Sequence, residues 1–84
     1  MFEIEWEKKA LKQLSQLPLN DRKSISESVK KLSQWPDCQN VKSLSNHRYQ
    51  YRLRVGRYRI FFDIENFLKI LRIEEVKKRN ERTY

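Results

Sequence analysis

The sequence predicts an α+β domain: a small antiparallel β-sheet with a helical hairpin packed on one face, in the element order β-α-α-β-β-β. Two observations support this prediction. Residues 7–35 contain two stretches whose apolar side chains recur at helical spacing, and residues 48–74 contain three segments in which apolar and polar side chains alternate. A chain of 84 residues is long enough for one modest core, so residues 1–84 are interpreted as a single domain.

The first third of the chain supplies a strand and a helix. Residues 2–5, FEIE, alternate apolar and acidic side chains, as an edge strand does. A helix follows, and its apolar face consists of Ala10, Leu11, Leu14 and Leu17. Pro18 ends this helix, because the residue before a proline disfavours the α conformation.

A second helix begins at a cap supplied by Asn20 or Asp21 and ends at Pro36. Its apolar stripe consists of Ile25, Val29, Leu32 and Trp35. Two adjacent amphipathic helices joined by a short turn form a helical hairpin, which needs an apolar surface to pack against. We expect Trp6 and Trp35 to pack between these helices and the sheet.

The remaining strands lie in the second half of the chain. Residues 37–47, DCQNVKSLSNH, have no period and are predicted to form a loop anchored by Val41 and Leu44. Strands are predicted at 48–55, 58–65 and 67–74, joined by turns at Gly56-Arg57 and Glu65-Asn66. Phe67 is expected at a core or edge position, and residues 76–84 are predicted to form a basic C-terminal tail.

The segment YQYRLRVGRYRIFFDIE, residues 49–65, has an apolar pattern that favours one hairpin register. With Gly56-Arg57 as the turn, the strand pairs are Val55–Tyr58, Arg54–Arg59, Leu53–Ile60 and Arg52–Phe61. One set of apolar side chains then lies on the face that the helices cover: Tyr49, Tyr51, Leu53, Val55, Tyr58, Ile60, Phe62 and Ile64. A shift of one residue would divide that set between the two faces.

The opposite face of this hairpin is rich in arginine. It carries Gln50, Arg52, Arg54, Arg59, Phe61 and Asp63. Arg54 and Arg59 are cross-strand partners of like charge, which destabilises a sheet, and Asp63 is too distant to neutralise the cluster. A bound phosphate would offset the repulsion, because guanidinium groups match its geometry. The alternative is that the arginines extend into solvent over Phe61; the sequence favours a phosphate-binding face.

The distribution of charge also favours an anionic partner over a role in solubility alone. Residues 1–42 carry eight basic and six acidic side chains, a net +2, whereas residues 43–84 carry eleven and five, a net +6. The C-terminal tail contributes Lys77, Lys78, Arg79 and Arg82, followed by Tyr84. An aromatic ring among basic groups suits the unstacked bases of single strands, although a tail without a ligand remains an alternative.

Several classes of protein are disfavoured by the composition. The start MFEIEWEKKA lacks the apolar run of a signal peptide, and no stretch reaches the roughly 20 apolar residues of a membrane span, so no membrane association is expected. The single cysteine, Cys38, excludes an intrachain disulfide and fits the cytoplasm. No cysteine or histidine lies at ligand spacing from it, so no metal and no cofactor are expected.

Beyond these physical arguments, YRLRVGRYRIFF resembles the hairpin of the RelE/ParE toxin superfamily of type II toxin-antitoxin systems, with its basic strand, glycine turn, Tyr-Arg pair and apolar strand. FEIEWEKKALKQLSQLP resembles the first strand and helix of that superfamily. VKSLSNHRYQYRLR resembles the approach to its central strand, and KKRNERTY its basic tail with a late tyrosine. The likeness covers nearly the whole chain and favours the RelE-like branch.

Membership of the RelE-like branch implies a ribosome-dependent endoribonuclease, or mRNA interferase, which inhibits translation by cutting mRNA in the decoding site. The mRNA 2′-hydroxyl attacks the adjacent phosphate, and no metal takes part. The expected partners are a cognate antitoxin protein, the ribosome and mRNA, with operator DNA contacted only through the antitoxin complex. The alternatives are a ParE-like DNA gyrase poison without nuclease activity, and a plain nucleic-acid-binding module or degenerate toxin that binds RNA and leaves it intact.

The resemblance assigns roles to particular residues. Arg59 corresponds to the arginine that stabilises the charged transition state, and Tyr84 to the tyrosine that orients or stacks the substrate. Arg52 and Arg54 correspond to residues that hold the scissile phosphate. The predicted catalytic set is therefore Arg59, Arg52 and Tyr84, and the predicted RNA-binding set is Arg54, Lys42, Lys77, Lys78, Arg79 and Arg82.

The groups that transfer protons are not identified by the resemblance. Many relatives use a tail histidine as the general acid, but this tail contains none. A lysine or glutamate is the general base elsewhere in the family; Lys42 and His47 are candidates here, neither with a firm match, and Glu81 is a third. His47 is a lone loop histidine and is interpreted as a surface residue rather than an essential base.

Overall fold

A five-stranded sheet and two helices make up residues 1–79, the part of the chain that the computed structural model describes. The strands are β1 (Glu3–Trp6), β2 (Val41–Ser43), β3 (Tyr51–Val55), β4 (Tyr58–Glu65) and β5 (Ile70–Lys78). The helices are α1 (Lys8–Ser15) and α2 (Leu19–Lys30), and a 3₁₀ turn, Lys31–Gln34, follows α2. The predicted α+β class and the order of its elements are confirmed, and β2 is an additional short strand within the predicted loop.

The sheet has the spatial order β1-β5-β4-β3-β2. Its neighbouring strands are antiparallel except for β1 and β5, which pair in parallel with Glu3 opposite Ile70. The sheet is therefore mixed rather than wholly antiparallel. From β2 to β5, each strand lies beside the one before it and runs in the opposite direction, so β5 ends up next to β1. There β5 runs in the same direction as β1.

The predicted register of the β3–β4 hairpin is confirmed at all four pairs: Val55–Tyr58, Arg54–Arg59, Leu53–Ile60 and Arg52–Phe61. Gly56 has a φ of 57°, and glycine adopts this left-handed conformation without a steric cost. The β4–β5 pairing contains one irregularity. Phe61 lies opposite Glu75 and Phe62 opposite Ile73, so Glu74 is an extra residue that bulges from β5.

The core lies between the helices and one face of the sheet. The helical segment buries Ala10, Ile25, Val29 and Leu32 against a set of strand residues that includes Leu53, Ile60, Phe62, Leu71 and Ile73. Trp6 and Trp35 are partly buried against this cluster, as predicted. The Trp35 ring meets the Tyr51 ring edge-on, with 4.6 Å between the centroids.

The start of α2 differs from the prediction. The helix begins at Leu19, Pro18 is its N-cap, and no side chain caps it, so the predicted cap at Asn20 or Asp21 is wrong. Asp21 lies in the first turn instead, where a negative charge is favourable near the helix N-terminus. Its carboxylate accepts a hydrogen bond of 2.7 Å from the Tyr58 hydroxyl. This partner is 37 residues away in the chain, so local sequence does not reveal it.

The boundaries of β5 also differ from the prediction. The turn before it spans residues 66–69, and Lys69 has a φ of 57° that interrupts the extended backbone. Phe67 is 90% exposed in this turn, so its predicted core or edge position is wrong. Residues 76–78 continue β5 rather than starting the predicted tail, and residues 80–84 lie outside the described part. No helix within residues 1–79 is long and apolar enough to span a membrane.

Candidate nucleic-acid interface

The sheet face opposite the helices, here called the outer face, holds the arginines of the β3–β4 hairpin. Arg54 pairs with Arg59 at its centre, and the two neighbouring strands extend this group: Lys42 of β2 lies opposite Arg52, and Lys77 of β5 lies opposite Arg59. Cross-strand partners share a face of the sheet, so four strands contribute to one positively charged surface. We call Lys42, Arg52, Arg54, Arg59 and Lys77 the cationic patch.

The cationic patch is not neutralised by the rest of the described chain. None of its charged nitrogens makes a salt bridge with a carboxylate of residues 1–79. Four of its side chains are exposed, and Arg52 is partly buried. The Arg52 Nε is shielded from solvent and has no hydrogen-bond acceptor within that part. An unpaired buried donor beside several cations is suited to an anion with several acceptor oxygens, such as a phosphate.

The opposite end of the outer face has compensated charge. Arg72 forms salt bridges with Glu5 at 3.7 Å and Glu7 at 3.4 Å. Nearer the cationic patch, Glu75 lies opposite Phe61 and forms a salt bridge of 3.6 Å with Lys9 of α1. Burial raises the pKa of the Glu74 carboxyl, and its hydrogen bond to Asp63 raises it further. The outer face is therefore polarised, with paired charges at one end and the cationic patch at the other.

An aromatic cluster of His47, Tyr49 and Phe61 lies next to the cationic patch. Phe61 is 6% and Tyr49 is 7% exposed, although neither belongs to the core under the helices. The His47 ring stacks on Phe61 with 5.1 Å between centroids and 14° between planes, and the Tyr49 centroid lies 5.6 Å from Phe61. Burial raises the pKa of the Tyr49 phenol, and a hydrogen bond to Glu75 raises it further.

Tyr49 was predicted on the face that the helices cover, and this prediction is wrong because its ring contacts Phe61 on the outer face. The strict alternation of side chains holds only within a strand, and β3 begins at Tyr51. Residues 45–50 are irregular, so the alternation does not extend to Tyr49. His47 was interpreted as a surface residue; it is exposed, and it also covers Phe61. The one sequence signal for this contact is a large apolar residue, Phe61, on a polar face.

The predicted site residues fall into three groups. Five of them, the members of the cationic patch, lie together on the outer face. Lys78 lies opposite the buried Tyr58 and therefore leaves β5 on the helical side, whereas Arg79 follows the strand and donates its backbone N–H to the Arg57 carbonyl. Arg82 and Tyr84, together with the candidate base Glu81, lie outside the described residues.

No residue of the cationic patch lines the cavity on the helical side. This cavity has a volume of about 410 Å³ and is lined by Leu14, Leu19, Arg22, Lys23, Ser26, Glu27 and Lys30. Residues 1–79 contain no group of three or more histidine, cysteine, aspartate or glutamate side chains that could hold a metal ion.

A family model described as the ParE toxin of type II toxin-antitoxin systems, parDE, matches residues 4–82. The chain belongs to this family of toxins. The resemblance of its hairpin to the RelE/ParE superfamily is thereby confirmed, and the protein is the toxin of a type II toxin-antitoxin system. A comparison with curated protein sequences found no significant match.

Solved structures of RelE proteins are similar to this toxin over nearly its whole length. RelE in the archaeal RelE–RelB complex from Pyrococcus horikoshii is 23% identical, with a TM-score of 0.81 over 96% of this chain and 98% of that chain. The isolated E. coli RelE toxin is 14% identical, with a TM-score of 0.82 over 98% of this chain and 88% of that chain. A chain of the RelBE2 toxin-antitoxin complex from Mycobacterium tuberculosis is 22% identical, with a TM-score of 0.79 over 93% of this chain and 98% of that chain. At these identities the likeness shows that the toxin has the RelE fold.

Proposed function

We propose that this toxin is a ribosome-dependent endoribonuclease of the RelE type, which cleaves mRNA in the decoding site of the cytoplasmic ribosome. The observation that carries the proposal is the cationic patch, five side chains from four strands without a carboxylate partner in residues 1–79. Its extent over four strands and its charge suit the backbone of a single strand, which approaches as an extended polyanion.

The proposed reaction needs fixed cations at the scissile phosphate. Attack by the mRNA 2′-hydroxyl on the adjacent phosphorus forms a cyclic phosphate and releases the 5′-oxygen of the next nucleotide, so negative charge increases on the phosphoryl oxygens in the transition state. Arg59 would stabilise this charge, and Arg52 and Arg54, the latter directly opposite Arg59, would hold the phosphate. Removing one such preorganised donor typically costs about 100-fold or more in rate.

Proton transfer is proposed to involve groups near the cationic patch. Of the three candidate bases, Lys42 belongs to the patch, His47 lies beside it on Phe61, and Glu81 is outside the described residues. Tyr84 is proposed to orient or stack the substrate, and Lys78, Arg79 and Arg82 are proposed to contact RNA; these roles stay predictions.

A cognate antitoxin is proposed as the partner that holds this toxin inactive. Support comes from the RelE fold, since the P. horikoshii and M. tuberculosis neighbours are RelE–RelB complexes. An acidic segment of the antitoxin lying over the cationic patch would neutralise it and speed association. Binding of this partner is therefore expected to weaken as salt rises, and operator DNA is expected to be contacted through the complex.

The test compares wild type with Arg59→Ala in a bacterial host. Arg72→Ala is the matched control, because Arg72 lies on the same face but already pairs with Glu5 and Glu7. After induction, the 5′ ends of a translated transcript are mapped. Cuts that require translation, persist in Arg72→Ala and disappear in Arg59→Ala are the expected result. Intact mRNA in cells poisoned by the wild type would contradict the proposal.

The second candidate function is a DNA gyrase poison, and one observation favours it: the family model that matches the chain is that of the ParE toxin. Plasmid supercoiling and DNA breaks are therefore measured in the same cells. Altered supercoiling with intact mRNA, and toxicity that survives Arg59→Ala, would establish the gyrase target instead.

A further inference from the structure

Phe61 is a buried aromatic side chain on the outer face, where the helices do not cover it. It faces away from the helices, opposite Arg52 and Glu75, yet only 6% of its surface is exposed. The backbone of a strand cannot bring an outward side chain into the core beneath. The cover is local instead, with the His47 ring stacked on Phe61 and the Tyr49 ring beside it. His47 itself is exposed, so the stack ends in an imidazole that is open to solvent.

The segment that carries His47 is held by specific hydrogen bonds rather than by strand pairing. The Gln50 N–H donates to Asp63 Oδ1 at 2.8 Å, and the Ile64 N–H donates to Gln50 Oε1 at 2.7 Å. The Leu44 N–H donates to the Gln50 carbonyl at 2.9 Å, which closes the loop. These contacts fix the loop on β4, so the ring of His47 is presented in one place.

The orientation of the His47 ring is fixed in addition by its own neighbour. The Tyr49 N–H donates to His47 Nδ1 at 3.0 Å, so the neutral ring carries its proton on Nε2. With Nδ1 engaged and one face against Phe61, the other face is available to a flat ligand. The Arg48 guanidinium lies 5.4 Å from the Tyr49 centroid and adds positive charge at this edge.

The aromatic cluster and the cationic patch adjoin each other. Phe61 is the direct cross-strand partner of Arg52, and such partners have Cα atoms about 4.5–5.5 Å apart. A single strand of RNA presents phosphates on one side and unstacked bases on the other, and each base offers a π-face to an aromatic ring. The exposed His47 ring, supported from behind by Phe61, can therefore stack on the base of a nucleotide whose phosphate lies on the adjoining cationic patch.

We propose that the exposed face of His47, backed by Phe61, is a stacking site for one base of the RNA whose phosphate lies on the cationic patch. The inference rests on the proposed function, because it needs RNA as the ligand. His47 acts through its ring in binding and selecting a nucleotide, and Arg48 supports it by its charge.

The test uses two substitutions that separate the ring from its hydrogen bond. His47→Asn keeps an acceptor for the Tyr49 N–H and removes the ring, whereas His47→Phe keeps a ring and removes the acceptor. The probe is a set of short single-stranded RNAs, each with 2-aminopurine at one position, whose fluorescence falls when that base stacks. Binding and fluorescence are measured at low salt with wild type, both variants and Arg59→Ala.

We expect quenching at one position with wild type and with His47→Phe. With His47→Asn we expect its loss and binding weaker by roughly 5- to 150-fold, the usual effect of removing one stacked aromatic. If His47 acts only through its hydrogen bond to Tyr49, His47→Asn should keep the binding and quenching, and His47→Phe should lose them. Unchanged quenching in His47→Asn overturns the stacking site alone. If wild type binds the RNA no better than Arg59→Ala and without quenching, the stacking site is overturned, whereas the proposed function is decided separately by the mapping of 5′ ends in cells.

Discussion

Arg54 and Arg59 lie directly opposite each other on β3 and β4, both exposed, on the sheet face that the helices leave uncovered. Like charges in direct opposition destabilise a sheet, and no carboxylate of residues 1–79 forms a salt bridge with either. On the same face, Arg72 has two glutamate partners. This contrast supports the proposal that the arginine pair binds an anionic ligand.

Replacing one member of this pair is expected to stabilise the isolated toxin. Arg54→Gln should raise the free energy of unfolding by about 0.2–1 kcal/mol, because it removes the repulsion from Arg59. The gain should shrink at high salt, which screens exposed charges. Urea denaturation at low and high salt measures it. Arg72→Gln is the control and should give no gain, since it removes two salt bridges. Equal effects of the two substitutions would count against a strained arginine pair.

The affinity for RNA is expected to depend on salt through the cationic patch. Lys77→Gln should lower the magnitude of the slope of log K against log salt by about 0.7, the usual value for one phosphate contact on a single strand. Lys77 is the cross-strand neighbour of Arg59, whereas the control Lys23→Gln changes an exposed lysine of α2. Titration of a labelled single-stranded RNA at several salt concentrations gives the slopes. If both substitutions lower the slope equally, the affinity for RNA depends on the net charge of the protein and not on the position of Lys77.

The hydrogen bond from Tyr58 to Asp21 is expected to stabilise the packing of α2 on the hairpin. Tyr58→Phe should lower the free energy of unfolding by about 1.5 kcal/mol at neutral pH, because a buried phenol loses a charged acceptor. The hydrogen bond and burial raise the pKa of Tyr58 above its ordinary value of 10.0. The contribution should therefore be complete below pH 10 and be lost as pH rises through the folded-state pKa.

A double-mutant cycle with Asp21→Ala isolates this interaction, with unfolding followed in urea. The two substitutions should be clearly non-additive, since they remove the same hydrogen bond. Additive losses would show that the two groups contribute independently.

Glu74 is expected to reduce stability at neutral pH. Burial and the hydrogen bond to Asp63 raise its pKa above the ordinary value of 4.5, so the folded state binds this proton more tightly than the unfolded state. Stability should therefore fall as pH rises from about 4.5 through the raised pKa. Glu74→Gln, whose amide still donates to Asp63, should have a higher Tm than wild type at pH 7 and an equal Tm at pH 4. The control Glu27→Gln, at an exposed position of α2, should show no such dependence.

Two phenylalanines on the same hairpin, β4–β5, should respond very differently to substitution. Phe67 is 90% exposed, so Phe67→Ser should change the free energy of unfolding by no more than about 0.5 kcal/mol. Phe62 is 0% exposed, and Phe62→Ala should cost about 3–5 kcal/mol, because it leaves a cavity in the core. Urea denaturation of both variants tests this. A large loss with Phe67→Ser would mean that the turn contributes packing that the described contacts do not contain.

The sequence by itself determined the hairpin at the centre of the site. The period of two in residues 51–64 and the glycine at the turn specify one register, so the pairing of Arg54 with Arg59 was predicted correctly. The helices were predicted for the same reason, since their apolar faces repeat locally. The predictions failed where no local pattern exists. Tyr49 lies just outside a strand, and Phe67 lies in a turn whose sequence resembles that of a strand. Asp21 accepts a hydrogen bond from Tyr58, which is distant in the chain.

Only the tertiary structure decided what surrounds the arginine pair. Lys42 and Lys77 join it because β2 and β5 pair with the two sides of the hairpin, and such pairing joins segments with no shared sequence signal. His47 reaches Phe61 because the Gln50–Asp63 hydrogen bonds fold its loop onto β4. Periodicity reports which face a residue takes within one element, whereas the neighbours of that face depend on the packing of elements that are distant in the chain.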